Sequence, residues 1–283
     1  MLTLLEIVKR TTDFFSKREI ESPRLNAELV VAHALGLGRM QLYLQFERLL
    51  EDAELERIRP LVRRRGQREP LAYVLGTAAF HDLVLRVDPR VLVPRPETEQ
   101  LIEALEEFGP PMPRRILDLG TGSGAIALAL AKRHPEAEVV AVDASDAALE
   151  VARANAVDAG LEGRVEFRHS DWYSAVPESE QFDWIAGNPP YLTEEEWGSA
   201  EPEVRLHEPR SALVAADEGC ADLLEIVSGA RVRMAPGGIL FLETGVDQHP
   251  RLIAAMEAAG FAEARSHRDW SGRDRFVSAR RPV

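Results

Sequence analysis

Arg115-Ile-Leu-Asp-Leu-Gly120-Thr-Gly-Ser-Gly124-Ala-Ile-Ala-Leu-Ala-Leu-Ala131 joins a short apolar run to a glycine-rich turn and then to an apolar helical run. Three glycines in five residues at a strand-to-helix turn let the backbone pass close to a ligand, with the amides of the helix start aimed at it. A tight turn that needed positive φ would be served by one glycine. The stretch therefore reads as a nucleoside- or nucleotide-binding βα unit, which places the chain among α/β proteins with a parallel sheet.

The rhythm continues downstream. Further strands are predicted at 138–142, 165–169, 182–186 and 238–243, with two more at 262–267 and 275–279, giving seven in all. Helices are predicted at 125–133, 147–159, 219–234 and 249–259. Upstream, Pro94-Arg-Pro-Glu-Thr-Glu opens a helix that ends before Gly109-Pro-Pro-Met-Pro. From Leu71 to Pro94 the period drops to two, with Leu83, Leu85 and Val87 alternating against Val84, Arg86 and Asp88, which predicts a β-hairpin linker. Before that the spacing is helical: Leu2, Leu5, Ile7, Val8, Phe14 and Phe15 form one stripe, Ser22-Pro23 caps a second helix, Met40 to Phe46 form a third, and Asp52 caps a fourth. The expected organisation is an all-helical domain over residues 1–70, a linker over 71–94 and an α/β domain over 95–283.

Composition narrows the function. The chain has 283 residues and a net charge of −13, which argues against a protein built mainly to grip phosphate backbones. Residues 1–70 hold 13 Lys and Arg against 11 Asp and Glu, a balance of +2, and the remainder carries −15. No apolar run is long enough for a membrane span, and Glu6 and Lys9 interrupt the apolar N-terminus where a signal peptide would be continuous. One cysteine, Cys220, excludes an internal disulfide framework and fits a reducing compartment, so the expectation is a cytoplasmic protein with no membrane partner. The seven histidines show no ligand spacing, and no metal site is expected.

Two features bear on the ligand. Gly120, Gly122 and Ala125 also satisfy the dinucleotide fingerprint, and Asp143 ends the second strand of the sheet, where a carboxylate can accept ribose hydroxyls in an NAD-type or an S-adenosylmethionine-type site. Helix capping, the other role for Asp143, could fall to Ser145 or Asp146. The fourth strand then runs into Asn188-Pro189-Pro190-Tyr191. Two prolines stiffen the chain at the sheet's C-terminal edge, and the Asn side-chain carbonyl beside a backbone carbonyl makes a paired acceptor for one planar NH2 group. An aromatic such as Tyr191 can pack on that group's flat face.

With these residues in place, the chain resembles the HemK-type release-factor glutamine N5-methyltransferases, within the class I S-adenosylmethionine-dependent methyltransferases. The resemblance rests on Glu69-Pro-Leu-Ala-Tyr-Val-Leu-Gly, Val91-Leu-Val-Pro-Arg-Pro-Glu-Thr-Glu, Asp118-Leu-Gly-Thr-Gly-Ser-Gly, Asn188-Pro-Pro-Tyr and Gly272-Arg-Asp-Arg-Phe-Val, and spans nearly the whole chain. It implies a Rossmann-like, seven-stranded, mostly parallel sheet behind a small all-helical N-terminal domain. It implies that Gly120, Thr121, Gly122, Ser123 and Gly124 wrap S-adenosyl-L-methionine, leaving S-adenosyl-L-homocysteine as product. Asp143 would hold the ribose, Asp171 and Trp172 would flank the adenine, and Asn188 would touch the cofactor as well. Asn188, Pro189, Pro190 and Tyr191 would bind the substrate amide, with Asn188, Pro189 and Tyr191 carrying catalysis. The 94–99 segment would close over the methionine end. The implied partner is a peptide chain release factor acting as substrate of a monomer. Two departures from the family pattern stand out: His81-Asp82 replaces Tyr-Gly or similar, and Asp217 or Glu218 stands where a glycine is usual.

A glutamine amide nitrogen is a poor nucleophile because its lone pair is delocalised. Two acceptors for its hydrogens would orient that lone pair and stabilise charge growing on nitrogen during in-line attack. No general base is evident beside Asn188, so the proton would leave after methyl transfer. The arginines from Arg57 to Arg68 read either as a solvated helix end or as a docking face for the substrate protein. Rival readings are an adenine N6-methyltransferase acting on nucleic acid, a dinucleotide oxidoreductase, and a non-catalytic S-adenosylmethionine-binding regulator of translation. The acidic α/β region weighs against the first, the lack of a hydride-transfer acid or base near Asn188 against the second, and the intact Asn188 and Tyr191 against the third.

Overall fold

The computed structural model describes residues 2–283, which divide into two compact units. The first comprises residues up to Thr77 together with Glu201–His207. It contains α1 (Leu4–Ser16), α2 (Pro23–Leu35), α3 (Arg39–Leu44), α4 (Asp52–Gly66) and α5 (Leu71–Leu75). Leu4, Val8, Phe15, Val30, Val31, Leu42, Leu50 and Ile58 fill its core. Of the first stripe read from the sequence, Val8 and Phe15 are buried there, Ile7 and Phe14 pack against it partly buried, and Leu2 and Leu5 are half-buried, while Leu4 was not in that stripe.

Several local expectations change. Ser22 lies in left-handed backbone and its hydroxyl caps nothing, so Pro23 alone starts α2 through its fixed φ. Glu51, not Asp52, is the N-cap of α4, and the Glu54 side chain accepts the Glu51 amide. Residues Leu71–Leu75 form one helical turn between Pro70 and the left-handed Gly76, where alternation had suggested extended chain. The arginine cluster is neither a uniformly solvated end nor an open face. Arg65 is buried, donating to Asn26 Oδ1 and to Glu203, while Arg68 binds Glu201 and Glu203 and Arg64 binds Glu69. Only the more N-terminal Arg57, Arg59 and Arg63 stay exposed. Sequence periodicity could not anticipate acids that arrive from residues 201–207.

The second unit holds β1 (Thr77–Phe80, from Ala78 onward), β2 (Leu83–Arg86), α6 (Pro96–Phe108), β3 (Arg115–Leu119), α7 (Ala125–Arg133), β4 (Glu138–Asp143), α8 (Asp146–Asp158), β5 (Val165–His169), β6 (Phe182–Gly187) and α9 (Glu194–Ser199). After α10 (Pro202–His207) of the first unit, the second continues with α11 (Ala221–Ala230), β7 (Met234–Glu243), α12 (His249–Ala258), β8 (Ala262–Arg268) and β9 (Asp274–Arg280). Its sheet has the order β5-β4-β3-β6-β7-β9-β8, with β9 antiparallel to both neighbours. All seven predicted strands are present. Met234, expected in a helix, instead begins β7, and the register shifts between the Phe182–Met234 and Trp184–Ile239 pairs accommodate the intervening Pro-Gly-Gly.

Alternation along each strand builds two cores. Ile116, Val139, Ala141, Trp184 and Phe241 pack under α6 and α7, whereas Leu117, Leu119, Val140, Ile185 and Leu240 pack under α11 and α12. The β1–β2 hairpin joins the first of these through Phe80, Leu83 and Leu85. Buried Asn155 fastens it: Oδ1 accepts the Arg86 amide, and Nδ2 donates to the carbonyls of Arg86 and Ser123. The strand order reverses between β3 and β6, so the loops after these two strands border the crevice where open α/β sheets bind ligands.

Both departures from the family pattern fall on left-handed backbone. His81 has φ 48°, and its ring Nε2 lies 3.1 Å from the Glu99 carbonyl oxygen, which ties the turn to α6. Asp217, Glu218 and Gly219 have φ of 56°, 56° and 77° in succession. Glu218 is exposed, and its αL conformation costs about 1–2 kcal/mol that glycine avoids. Glu218→Gly is therefore expected to raise stability by up to about 1 kcal/mol, after glycine's extra unfolded-state entropy is counted. Gly219→Ala should destabilise strongly, because its Cβ would lie 2.2 Å from the Tyr191 carbonyl oxygen. Urea midpoints of the two variants, moving in opposite directions, check this.

Candidate active site

The glycine loop is held by its neighbours' backbones and by two acids. Gly120, Gly122 and Gly124 have φ of 70°, 54° and 84°, so all three glycines meet a conformational demand. The amides of Gly120 and Thr121 both donate to the Val142 carbonyl at 2.9 Å. Behind the loop, fully buried Asp118 accepts the Thr121 hydroxyl at 2.7 Å and the Ala127 amide at 3.1 Å through Oδ2. Burial pushes its carboxyl up to about 7 against those two hydrogen bonds. At the end of β4, Asp143 Oδ2 accepts the Gly122 amide at 2.8 Å and Oδ1 the Ser145 amide at 2.9 Å. Burial raises the Asp143 carboxyl as well, opposed by these amides. Ser145 takes the capping role on α8, accepting from the Ala148 amide.

A cavity of about 580 Å³ opens over this loop. Of the residues expected at the site, Gly120, Thr121, Gly122, Ser123, Asp143, Asp171, Trp172, Asn188 and Pro190 line it; Gly124, Pro189 and Tyr191 do not. Gly124 instead packs on α7 and α8, where an added Cβ would crowd Leu128 and Ala152. Trp172 stands on the wall beside Gly120 with φ 41°, a strained value for so bulky a residue. It is held there by Ser170 Oγ, which donates to its carbonyl, and by its own indole N–H on Asp222 Oδ1.

The reading from sequence missed a chain of polar groups centred on buried Thr98 and Glu243. Asn188 Nδ2 donates to Thr98 Oγ1 at 3.0 Å, and Thr98 Oγ1 donates to Glu243 Oε2 at 2.8 Å. Tyr191 directs its hydroxyl to Glu243 Oε1 at 3.1 Å, while its carbonyl accepts from Gln248 Nε2. Burial pushes the Glu243 carboxyl up to about 7, with the Thr98 and Tyr191 hydroxyls opposing. A signal for Glu243 existed in the sequence: like Asp118 and Asp143, it is an acid near the C-terminal end of an apolar strand. Thr98 carried none beyond its place in the 94–99 segment, from which Pro94, Arg95 and Thr98 line the cavity. Arg95 pairs with buried Glu208.

Residues 6–76 match the family model described as PrmC N-terminal domain, and residues 96–204 the one described as Methyltransferase small domain. Over 286 residues the chain is 38% identical to the release factor glutamine methyltransferase of Rhodopirellula baltica, covering 98% of this chain and 95% of that one. The chain belongs to the release factor glutamine methyltransferase family. The Salmonella typhimurium family member is 41% identical over 93% of this chain and 94% of its own, and the Escherichia coli member 39% over 92% and 93%. Among solved structures, a T. thermophilus 16S rRNA methyltransferase in complex with AdoMet and guanosine superimposes with a TM-score of 0.53 at 25% identity, over 72% of this chain and 49% of that one. A methyltransferase from Pyrococcus furiosus shares the fold, with a TM-score of 0.54 at 18% identity over 72% and 92%. The fold is that of the class I methyltransferases, and the release factor glutamine methyltransferases are S-adenosylmethionine-dependent enzymes.

The residues present fit that cofactor. It carries a sulfonium and an ammonium, and Asp143, Asp171 and Asp222 all line the cavity. Asp118 Oδ1 is buried beneath the loop with no hydrogen-bond partner among the described residues. An added Cβ on Gly122 would meet nothing within 4 Å, so the loop leaves open space where it faces the cavity.

Proposed function

We propose that this protein methylates the side-chain amide nitrogen, N5, of a glutamine in the acceptor loop of a peptide chain release factor. The observation that carries the reading is that Asn188, with its amide nitrogen occupied by Thr98, lines the same cavity as the glycine loop and Asp143. Bound S-adenosylmethionine supplies an electrophilic methyl group. Gly120 to Ser123 wrap it, Asp143 accepts its ribose hydroxyls, and Asp171 and Trp172 flank its adenine. Asn188 Oδ1 and the Pro189 carbonyl accept the two hydrogens of the glutamine amide, turning the nitrogen lone pair toward the methyl group and stabilising positive charge as it grows. Pro190 and Tyr191 fix the tetrapeptide's shape. The new N–CH3 bond would form as the cofactor's S–CH3 bond breaks, leaving S-adenosyl-L-homocysteine, and the amide proton would then pass to solvent.

We further propose a division of labour in which residues 1–70 dock the release factor, 71–94 form the connection and 95–283 carry the chemistry. Met40 and Leu44 on α3, respectively 74% and 86% exposed, supply apolar contact area for such docking. The arginines Arg64, Arg65 and Arg68 are engaged in internal ion pairs.

The decisive experiment offers labelled S-adenosylmethionine with purified release factor, with the same factor carrying alanine for its acceptor-loop glutamine, and with duplex DNA. Label is expected on the unaltered factor alone. Label on DNA would replace this reading with an adenine methyltransferase, and label on the alanine factor would move the modified position.

A further inference from the structure

We infer that Thr98 is a positioning residue that holds the Asn188 amide in the orientation presenting its oxygen to the substrate, and that Glu243 in turn fixes the Thr98 hydroxyl. The inference rests on the reading that Asn188 Oδ1 accepts the substrate NH2 group. An asparagine amide can be turned end for end with little change in shape, yet only one orientation makes an acceptor. Something must choose between them before substrate arrives.

The choice follows from counting protons. Thr98 has one hydroxyl proton and can accept hydrogen bonds on the same oxygen. Glu243, 1% exposed at the end of β7, has no proton to donate when ionised and receives two, from Thr98 and from Tyr191. With Glu243 ionised, the Thr98 proton is spent on Glu243, 2.8 Å away. What Thr98 Oγ1 offers Asn188 is a lone pair, and the only Asn188 group that can use it is Nδ2, observed at 3.0 Å. Turning the amide would set Oδ1 against that lone pair and leave a buried acceptor unmet. Thr98 is itself only 4% exposed, so water does not step in readily. Oδ1 is left without a claim on it from Thr98.

Tyr191 gains a role from the same geometry. Its hydroxyl satisfies the second oxygen of Glu243, so the last residue of the Asn-Pro-Pro-Tyr tetrapeptide helps fix the amide of the first through two intervening side chains. Arg275 on β9 favours the ionised state of Glu243, while Glu97 on α6 opposes it.

The test is steady-state methyl transfer to the release factor by Thr98→Val, Thr98→Ser, Asn188→Ala and the Thr98→Val/Asn188→Ala double variant, alongside cofactor Kd and thermal unfolding. Thr98→Val should lower kcat by about tenfold or more, with the Kd for S-adenosylmethionine and the KM for the factor little changed, the size expected for losing a buried hydrogen bond. Thr98→Ser should restore kcat. In the Asn188→Ala background, Thr98→Val should add no further loss, because Thr98 acts only through that amide. If Thr98→Val does not fold, Thr98→Ala serves in its place. Wild-type kcat in Thr98→Val beside a disabled Asn188→Ala, or multiplicative losses in the double variant, would overturn the inference while leaving the role of Asn188 intact. Full activity of Asn188→Ala would overturn that role and this inference with it.

Discussion

Asn188→Ala is expected to lower kcat for methyl transfer to a release factor by about 10²–10³-fold, the scale on which a single preorganised transition-state contact acts. The Kd for S-adenosylmethionine should change by no more than a few-fold. The asymmetry comes from where each group is anchored. The glycine loop is held by the Val142 carbonyl, Asp118 and Asp143, none of which bonds to Asn188. The Asn188 amide is held by Thr98 and belongs to the network ending at Glu243. On the proposed reading, deleting it removes one of two acceptors for the glutamine NH2 group, a contact whose worth increases as that nitrogen becomes cationic. Loss of both acceptor and orientation is expected in kcat rather than in KM, because the contact strengthens only as charge develops on the nitrogen. Isothermal titration with cofactor, beside initial rates at saturating factor, separates the two quantities. Equal losses in Kd and kcat would show that Asn188 serves the cofactor and not the amide.

The parts of this molecule that were legible in the sequence are those encoded locally. Glycines at 120, 122 and 124, an acid at 143 and Asn-Pro-Pro-Tyr at 188–191 each sit at a strand end, and the strands announce themselves by apolar runs. Position in the strand order then brings the loops after β3 and β6 to one crevice without further information. What stayed hidden depends on partners far apart in the chain. Thr98 meets Glu243 across 145 positions and Asn188 across 90, and no periodicity reports such pairs. Arg65 looked like part of a basic surface because the segment that buries it, with Glu203, lies 138 residues away. Ser22 has the side chain of an N-cap, but its left-handed backbone keeps the hydroxyl from making the capping bond. The unusual residues at 81, 217 and 218 marked left-handed turns in advance only through comparison with a family pattern, since His, Asp and Glu do not by themselves demand that conformation.

Asp143→Ala is expected to act at the opposite end of the cavity, raising the Kd for S-adenosylmethionine by about 10²-fold while leaving kcat at saturating cofactor within a few-fold of wild type. A hydrogen bond to a charged group is worth about 1.5–3 kcal/mol, and this carboxylate is proposed to accept such bonds from the ribose hydroxyls while already fixing two amides. Its oxygens hold Gly122 at 2.8 Å and Ser145 at 2.9 Å, so the alanine variant would lose the proposed ribose acceptor and loosen the glycine loop. Burial raises this carboxyl's pKa, and the two backbone amides oppose that rise by favouring the ionised form. Asp143→Asn should fall between the two, because one amide oxygen can keep one of the backbone bonds and its NH2 repels the other donor. Asp143 bonds to neither Thr98 nor Asn188, so once cofactor is bound the acceptors proposed for the glutamine amide would be unchanged. A drop in kcat at saturating cofactor comparable to that of Asn188→Ala, with Kd preserved, would mean that the two ends of the cavity do not divide binding from chemistry in the way their anchoring predicts.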